Sequence, residues 1–205
     1  MMVNILRKHS PTKERLLDAA ERLMLAKGFT ATTVEEICAS AKLTKGSFFH
    51  YFKSKGQLAR ELLERFCAAS QRKMQEAVGH AERDPLKRVY RYIDVMIAMS
   101  KDCAEQGCLL GTFAQELSET NPNMRTLCDQ AFNRWVNAFK ADLDAAKAAC
   151  ASRVPIDTKS LAEHFIAILE GAKILAKAQA DASVEGRSLR HFKRYLEYVF
   201  DPARG

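Results

Sequence analysis

The chain has 205 residues, 47% of them hydrophobic, and a formal net charge of +7 at pH 7. This length admits one or two domains, the apolar fraction suffices for a packed core, and no apolar run approaches the ~20 residues of a membrane span. Because no segment alternates apolar and polar residues for long, and glycine (9) and proline (5) are few, we expect an all-α fold.

Positive charge is concentrated toward the amino terminus. Residues 1–56 contain 10 lysines and arginines against 5 acidic residues, whereas the remainder contains 22 against 20. Such a field attracts polyanions such as nucleic acid, although basic surfaces also occur on proteins without acidic partners. The amino terminus shows no long apolar core of a secretory signal, so we expect a soluble, cytoplasmic protein without a membrane segment.

The first predicted helix runs from a cap at Thr12 to Gly28, and its apolar residues recur on one face. Gly28 ends the helix, since glycine adopts the left-handed conformation common at helix ends without strain. The residues before the helix, 1–11, are expected to form a basic tail that is solvated rather than bound in a DNA groove.

Residues 32–55 predict two short helices joined by a tight turn, with a third helix directly behind them. Thr33 and Glu36 have the spacing of a capping box at the start of the first of these helices. Thr44 caps the second helix, and Ser54 caps the third. Short helix, turn and short helix is the arrangement that places a second helix in the major groove of DNA.

The second helix carries side chains suited to reading DNA. Lys45 and Ser47, separated by Gly46, lie near its start, where base edges are usually contacted. Lysine donates to guanine O6 and N7, and serine pairs with several base edges. Three further side chains are expected to hydrogen-bond or neutralise phosphates, namely His50, Tyr51 and Lys55. Capped helix pairs also occur in proteins that never bind DNA, so this geometry alone leaves both interpretations open.

The segment 28–55, GFTATTVEEICASAKLTKGSFFHYFKSK, resembles the DNA-binding signature of TetR-type bacterial repressors, and the resemblance extends over roughly residues 12–66. It implies a helix-turn-helix domain over residues 1–57 and a helical domain for effector sensing and dimerisation over residues 58–205. A protein of this family is expected to bind a palindromic operator in double-stranded DNA and to leave it when an effector binds.

Two positions depart from the family pattern. Lys42 stands where the family usually has a glycine in the turn, which costs on the order of 1 kcal/mol if that residue is left-handed. Phe49 stands where the family usually has a tyrosine that contacts phosphate, and its ring can touch a thymine methyl group instead. The expected DNA-contacting set is therefore Thr33, Lys42, Thr44, Lys45, Gly46, Ser47, Phe49, His50, Tyr51 and Lys55.

The rest of the chain is predicted to be helical. A long helix runs from Ser54 to about Val78 and links the DNA-reading end to the remainder. After a break at 79–85, further helices are expected over 86–106, 108–119, 123–149, 158–182 and, ending before Pro202, around 189–200. About nine helices result, without internal repeats or low-complexity segments.

The family resemblance implies a homodimer in which the last two helices pair with their copies to form a four-helix bundle. Gly171, Ala172 and Ala176 are small enough for close helix approach, and the apolar stripes over 161–176 and 189–200 are wider than one core contact needs. A two-fold dimer carries two DNA-reading units about one helical turn apart, which suits a palindrome.

Two features of the second half are candidates for sensing an effector. Apolar side chains between residues 86 and 150 are either ordinary core or the lining of a small-molecule pocket: Tyr92, Met96, Phe113, Phe132, Trp135 and Phe139. Cys108 follows Gly107 at a helix start, where the helix dipole stabilises a thiolate and favours reaction with electrophiles. The alternative is that Cys108 is a small buried hydrophobic residue.

The run GCLLGTFAQELSETNPNMR, residues 107–125, resembles the matching segment of a TetR branch that senses electrophiles through a cysteine at that place. Cys103 is either a resolving partner for Cys108 or irrelevant to it. The chain contains no C-x-x-C pair and no phosphate-binding glycine motif, so neither a zinc site nor a cofactor is expected. Two other classes stay open, namely a thiol enzyme, which no readable cysteine–histidine pair supports, and a non-specific nucleoid-type DNA binder.

Overall fold

The computed structural model describes residues 10–79, 82–100, 107–149 and 155–200. These ranges contain no strand and form nine helices, which confirms the all-α prediction: α1 (Pro11–Lys27), α2 (Val34–Ala41), α3 (Lys45–Tyr51), α4 (Lys55–Val78), α5 (Pro85–Ser100), α6 (Leu109–Leu117), α7 (Pro122–Ala149), α8 (Thr158–Gln179) and α9 (Ser183–Phe200). None of these helices is long and apolar enough to cross a membrane.

Helix ends differ from the predictions in a few places. α1 begins at Pro11 rather than after a cap at Thr12, because the fixed φ of proline suits the first helical position. α8 ends at Gln179, ahead of the predicted end at Ala182, because Ala180 adopts a left-handed conformation (φ 49°) that alanine does not signal in a sequence. The stretch 101–106, predicted to continue the fifth helix, lies outside the described residues, as does Cys103.

Two buried apolar clusters hold the helices together. The first joins the inner faces of α1–α4 with α6 and the first half of α7. The second joins α5, the second half of α7, α8 and α9. Phe132 and Trp135 on α7 pack against both clusters. α6 therefore shares a core with the amino-terminal helices although it is remote in sequence, and the domain boundary at residue 57 stays a prediction.

The apolar stripes of the last two helices lie mostly inside the chain itself. Phe165 on α8 stacks on Phe139 of α7 with ring centroids 4.4 Å apart, and Phe192 on α9 lies 5.3 Å from Phe165. Ala172 and Ala176 are only 3% and 5% exposed in the single chain, although Ala172 also lines a groove between α8 and α9. Their contact with a partner stays a prediction.

Candidate nucleic-acid interface

α2 and α3 fold as the sequence predicts, each from its own N-cap. Thr33 Oγ1 accepts a hydrogen bond from the Glu36 N–H (3.2 Å), and Glu36 Oε2 accepts one from the Thr33 N–H (2.9 Å). Thr44 Oγ1 likewise accepts from the Ser47 N–H (3.1 Å). These bonds satisfy amide groups that have no partner within a helix, so both short helices begin at fixed residues.

The turn between α2 and α3 contains Lys42 in the left-handed conformation, with φ 53° and ψ 49°. A residue with a Cβ is strained there by roughly 1–2 kcal/mol. The sequence predicts this strain, because Lys42 stands where the family usually has a glycine. Arg15 on α1 braces the turn, since its Nη2 donates to the Ala41 carbonyl oxygen (2.5 Å). The Lys42 side chain is exposed.

α3 is anchored by Phe48 and leaves the predicted base-reading residues accessible. Phe48 is fully buried and packs on the buried Phe52, with ring centroids 5.6 Å apart. Phe49 is 56% exposed, an unusual position for a phenylalanine. Four residues of α3 are exposed: Lys45, Gly46, Phe49 and His50. Ser47 is half-buried, and its hydroxyl lies 3.1 Å from Thr44 Oγ1.

Two residues expected to contact phosphate have partners inside the chain. Lys55 Nζ donates to the carbonyl oxygens of Phe29 (2.9 Å) and Thr32 (2.7 Å), and burial lowers the pKa of the ammonium group. The Tyr51 hydroxyl lies 2.9 Å from Ser10 Oγ, just before α1. The sequence indicates the charge of Lys55 and the hydroxyl group of Tyr51, but it does not indicate these partners. These partners favour Lys55 as a brace of the segment between α1 and α2, and its contact with phosphate stays a prediction.

Cys108 caps α6, and of the two roles left open by the sequence its surroundings favour the buried residue, while sensing stays a prediction. Its Sγ accepts a hydrogen bond from the Gly111 N–H (3.4 Å), and the residue is only 7% exposed. Burial, reinforced by the carboxyl group of Glu170 on α8, raises the pKa of the thiol well above its usual value. Desolvation therefore opposes the thiolate that the helix start favours.

The side chains proposed to line an effector pocket are divided between the two apolar clusters. Phe113 packs in the first cluster against Phe29, with ring centroids 5.9 Å apart. Tyr92, Met96 and Phe139 belong to the second cluster, and burial raises the pKa of Tyr92 to about 12. Phe132 and Trp135 lie where the clusters meet, in edge-to-face contact at 6.0 Å. In the described ranges, no group of three or more His, Cys, Asp or Glu residues is placed to hold a metal ion.

An apolar groove of about 480 Å³ runs between α8 and α9. Ile168, Gly171 and Leu175 line it from α8, and Phe192 and Tyr195 line it from α9. Four large side chains on these two helices are about half exposed in the single chain: Ile174, Leu175, Tyr195 and Tyr198. Exposed apolar side chains grouped on adjacent helices mark a surface of association rather than a solvated face.

Two capped short helices with an exposed second helix, within a bundle of helices, are the helix-turn-helix arrangement of DNA-binding transcriptional regulators. Two family models match the chain. Residues 16–62 match the model described as "Bacterial regulatory proteins, tetR family", and residues 85–192 match "Tetracyclin repressor-like, C-terminal domain". The second match alone covers more than half of the chain, and the protein belongs to the TetR family.

Similar proteins include named repressors. The HTH-type transcriptional repressor DhaR of Mycobacterium sp. (strain GP1) is 27% identical over 192 residues, or 94% of this chain and 92% of that one. The repressor NemR of Escherichia coli (strain K12) is 26% identical over 188 residues, or 90% and 94%.

Solved structures have the same fold. Regulatory protein TetR from Rhodobacter sphaeroides superposes with a TM-score of 0.80 at 26% identity and covers 91% of this chain and 99% of that one. The reduced form of E. coli NemR superposes with a TM-score of 0.75 at 25% identity and covers 95% and 100%.

Proposed function

We propose that this protein is a homodimeric repressor that binds a palindromic operator through α3 and is released from it by an effector. The observation that carries the DNA-binding part is the exposed surface of α3, where Lys45 and Phe49 are accessible while the buried Phe48 anchors the helix in the core. A helix held by one buried aromatic side chain keeps its accessible face at a defined orientation, which reading base edges requires.

The apolar groove supports pairing through α8 and α9. Leu175 and Tyr195 line it and are 50% and 48% exposed in the single chain. The same two helices of a second copy would cover these side chains by a two-fold axis, giving a four-helix bundle. The exposed apolar area of this interface comes mainly from Ile174, Leu175, Tyr195 and Tyr198.

Repression is supported by the names of the relatives DhaR and NemR, which are both repressors. For the effector, we favour a small apolar molecule that enters near Phe132 and Trp135, because these half-buried rings lie between the two clusters. One relative was crystallised in a form described as reduced. A thiol signal in this chain would first have to expose Cys108, which is buried with a raised pKa.

The experiment is a footprint over the DNA that flanks the gene of this protein, followed by binding to the protected fragment and to a scrambled duplex. We expect one protected palindrome whose half-sites lie about one helical turn apart, bound ~10³-fold more tightly than the scrambled duplex. Equal affinity for both duplexes would instead identify a non-specific nucleoid-type binder. Repeated turnover of a thiol-reactive substrate would identify an enzyme.

A further inference from the structure

α6 contacts the segment between α1 and α2, residues 28–33, through one carboxylate. Glu116 Oε1 accepts a hydrogen bond from the Phe29 N–H (3.2 Å), and Glu116 Oε2 accepts one from the Thr30 N–H (2.7 Å). Gly28 has φ +88°, a conformation that L side chains rarely adopt, and the two amides that follow it both point at the carboxylate. A Cβ at Gly28 would lie 2.1 Å from Glu116 Oε1.

Carbonyl groups of this segment accept hydrogen bonds from a positively charged side chain on another helix. Lys55, at the start of α4, donates to the Phe29 and Thr32 carbonyl oxygens and lies 4.2 Å from the centre of the Phe29 ring. The Thr32 hydroxyl donates to the Gly28 carbonyl oxygen (2.7 Å). Two N–H groups of the segment therefore bind an anion from α6 and two of its C=O groups bind a cation from α4, which ties it to both helices.

The position of this segment decides the position of the DNA-reading helices, because the next residue after it begins α2. Thr33 is the N-cap of α2, and α2 leads into α3 through the single turn at Lys42. Phe113 of α6 adds an apolar contact, since its ring meets the Phe29 ring edge-on. Glu116 and Phe113 thus tie α6 to the entry of the helix-turn-helix across a separation of more than 80 residues in sequence.

The opposite end of α6 contacts α8. A Cβ at Gly111 would lie 2.2 Å from Oε2 of Glu170 on α8, so the Glu170 side chain reaches the backbone of α6 there. α6 is therefore placed between α8 and the entry of the helix-turn-helix. We propose that Glu116 is a positioning residue for DNA recognition, which sets α2 and α3 relative to α6 so that a displacement of α6 reaches α3 through this carboxylate. The proposal rests on operator binding through α3, but not on the identity of the effector.

The first test compares Glu116→Gln with Glu119→Gln, which removes the same charge from an exposed residue just beyond α6. Glutamine offers an amide N–H where one of the two backbone N–H groups needs an acceptor. We expect Glu116→Gln to weaken operator binding about tenfold, with affinity for scrambled duplex within twofold of wild type. The salt dependence should not change, because no phosphate contact is lost. Glu119→Gln should leave the preference for the operator unchanged.

The second test is a double-mutant cycle that uses Gly111→Ala, whose added Cβ would press against the Glu170 side chain of α8, at the end of α6 away from the DNA-reading helices. We expect Gly111→Ala to weaken operator binding about fivefold in the wild-type chain and less than twofold in the Glu116→Gln chain. Thermal unfolding of each variant identifies any loss that comes from misfolding, and hydrogen exchange at the Phe29 and Thr30 amides reports the contact directly in whatever fraction is folded.

Three outcomes would overturn the proposal. Operator affinity unchanged in Glu116→Gln would show that the carboxylate does not position α3. An absent effect of Gly111→Ala in the wild-type chain would show that α6 is not coupled to DNA binding. Equal effects of Gly111→Ala in both chains would assign the coupling to another path, such as Lys177 on α8, whose Nζ lies 3.4 Å from the Ala26 carbonyl oxygen of α1. A wild-type protein without operator preference would instead overturn the proposed function.

Discussion

The ammonium group of Lys45, the first residue of α3, forms an ion pair with the carboxylate of Glu35 on α2. Both side chains are about 60% exposed, so the pair lies in solvent and stabilises the fold little. The hydrogen bond from Lys45 holds the pKa of Glu35 below its usual value. Lys45, which we propose contacts a base, must therefore leave the Glu35 carboxylate when the protein binds DNA.

Replacement of Glu35 by glutamine should strengthen DNA binding. The lysine is then available without an exchange of partners, and one negative charge near the phosphates is removed. We expect about a threefold to tenfold gain in operator affinity, measured by fluorescence anisotropy at fixed salt. Glu163→Gln, which removes an exposed carboxylate from α8, is the matched control and should change nothing. Unchanged affinity in Glu35→Gln would mean that Lys45 keeps its carboxylate partner on DNA.

The cap of α2 should make stability depend on pH in the acid range. Lys27, together with Thr33, holds the pKa of Glu36 at about 2, below its usual value of 4.5. Because the folded pKa is the lower one, the carboxylate stabilises the folded state fully above about pH 4.5, and this contribution is lost as the pH falls toward 2. The melting temperature of wild type should therefore fall more steeply over this interval than that of Glu36→Gln. Parallel curves would show that the capping box is not maintained in solution.

Replacement of Lys55 by methionine should destabilise the fold without changing the ionic character of DNA binding. The Phe29 and Thr32 carbonyl oxygens would lose their donor, at a cost of about 1–3 kcal/mol in the free energy of unfolding. Because the ammonium group is directed at these oxygens, the slope of log affinity against log salt concentration should stay the same. A slope reduced by about one unit, with stability intact, would return Lys55 to the phosphate-contacting set.

Replacement of Leu175 by arginine should produce a folded monomer. Leu175 is half exposed in the single chain and lines the groove between α8 and α9, so a charge there is tolerated by one chain but is costly when buried between two. Sedimentation at micromolar concentration should show the loss of the dimer, together with a sharp loss of operator affinity. Ala172→Arg is the contrasting variant and should unfold the chain, because Ala172 is already buried within it. A dimer of normal stability in Leu175→Arg would refute this surface.

The features that could be predicted from the sequence are those that neighbouring residues determine. The caps at Thr33, Thr44 and Ser54 each depend on a hydrogen bond to a residue three positions later, and the structure confirms all three. The left-handed turn at Lys42 is local as well. The helix count and the order of the helices follow from apolar spacing within each segment.

The features that the sequence missed depend on contacts between distant residues. The partners of Lys55 lie more than 20 residues earlier, and the carboxyl group that opposes the Cys108 thiolate belongs to α8. Nothing in the sequence predicts the contact of Glu116 with the segment between α1 and α2, because an acidic residue near a helix end is usually solvated. Whether Ala172 faces a partner or its own core is decided by the packing of α9 on α8, which periodicity within α8 does not specify.

Titration of wild type and Lys45→Ala against the protected operator fragment and a scrambled duplex tests sequence-specific binding through α3 most directly. We predict that the wild-type protein prefers the operator over the scrambled duplex by ~10³-fold. Lys45→Ala should lose about 1–3 kcal/mol on the operator and much less on the scrambled duplex, because a base contact carries sequence information and a phosphate contact does not. Unchanged operator binding by Lys45→Ala, or equal losses on both duplexes, would contradict the assignment of α3 as the helix that reads the bases.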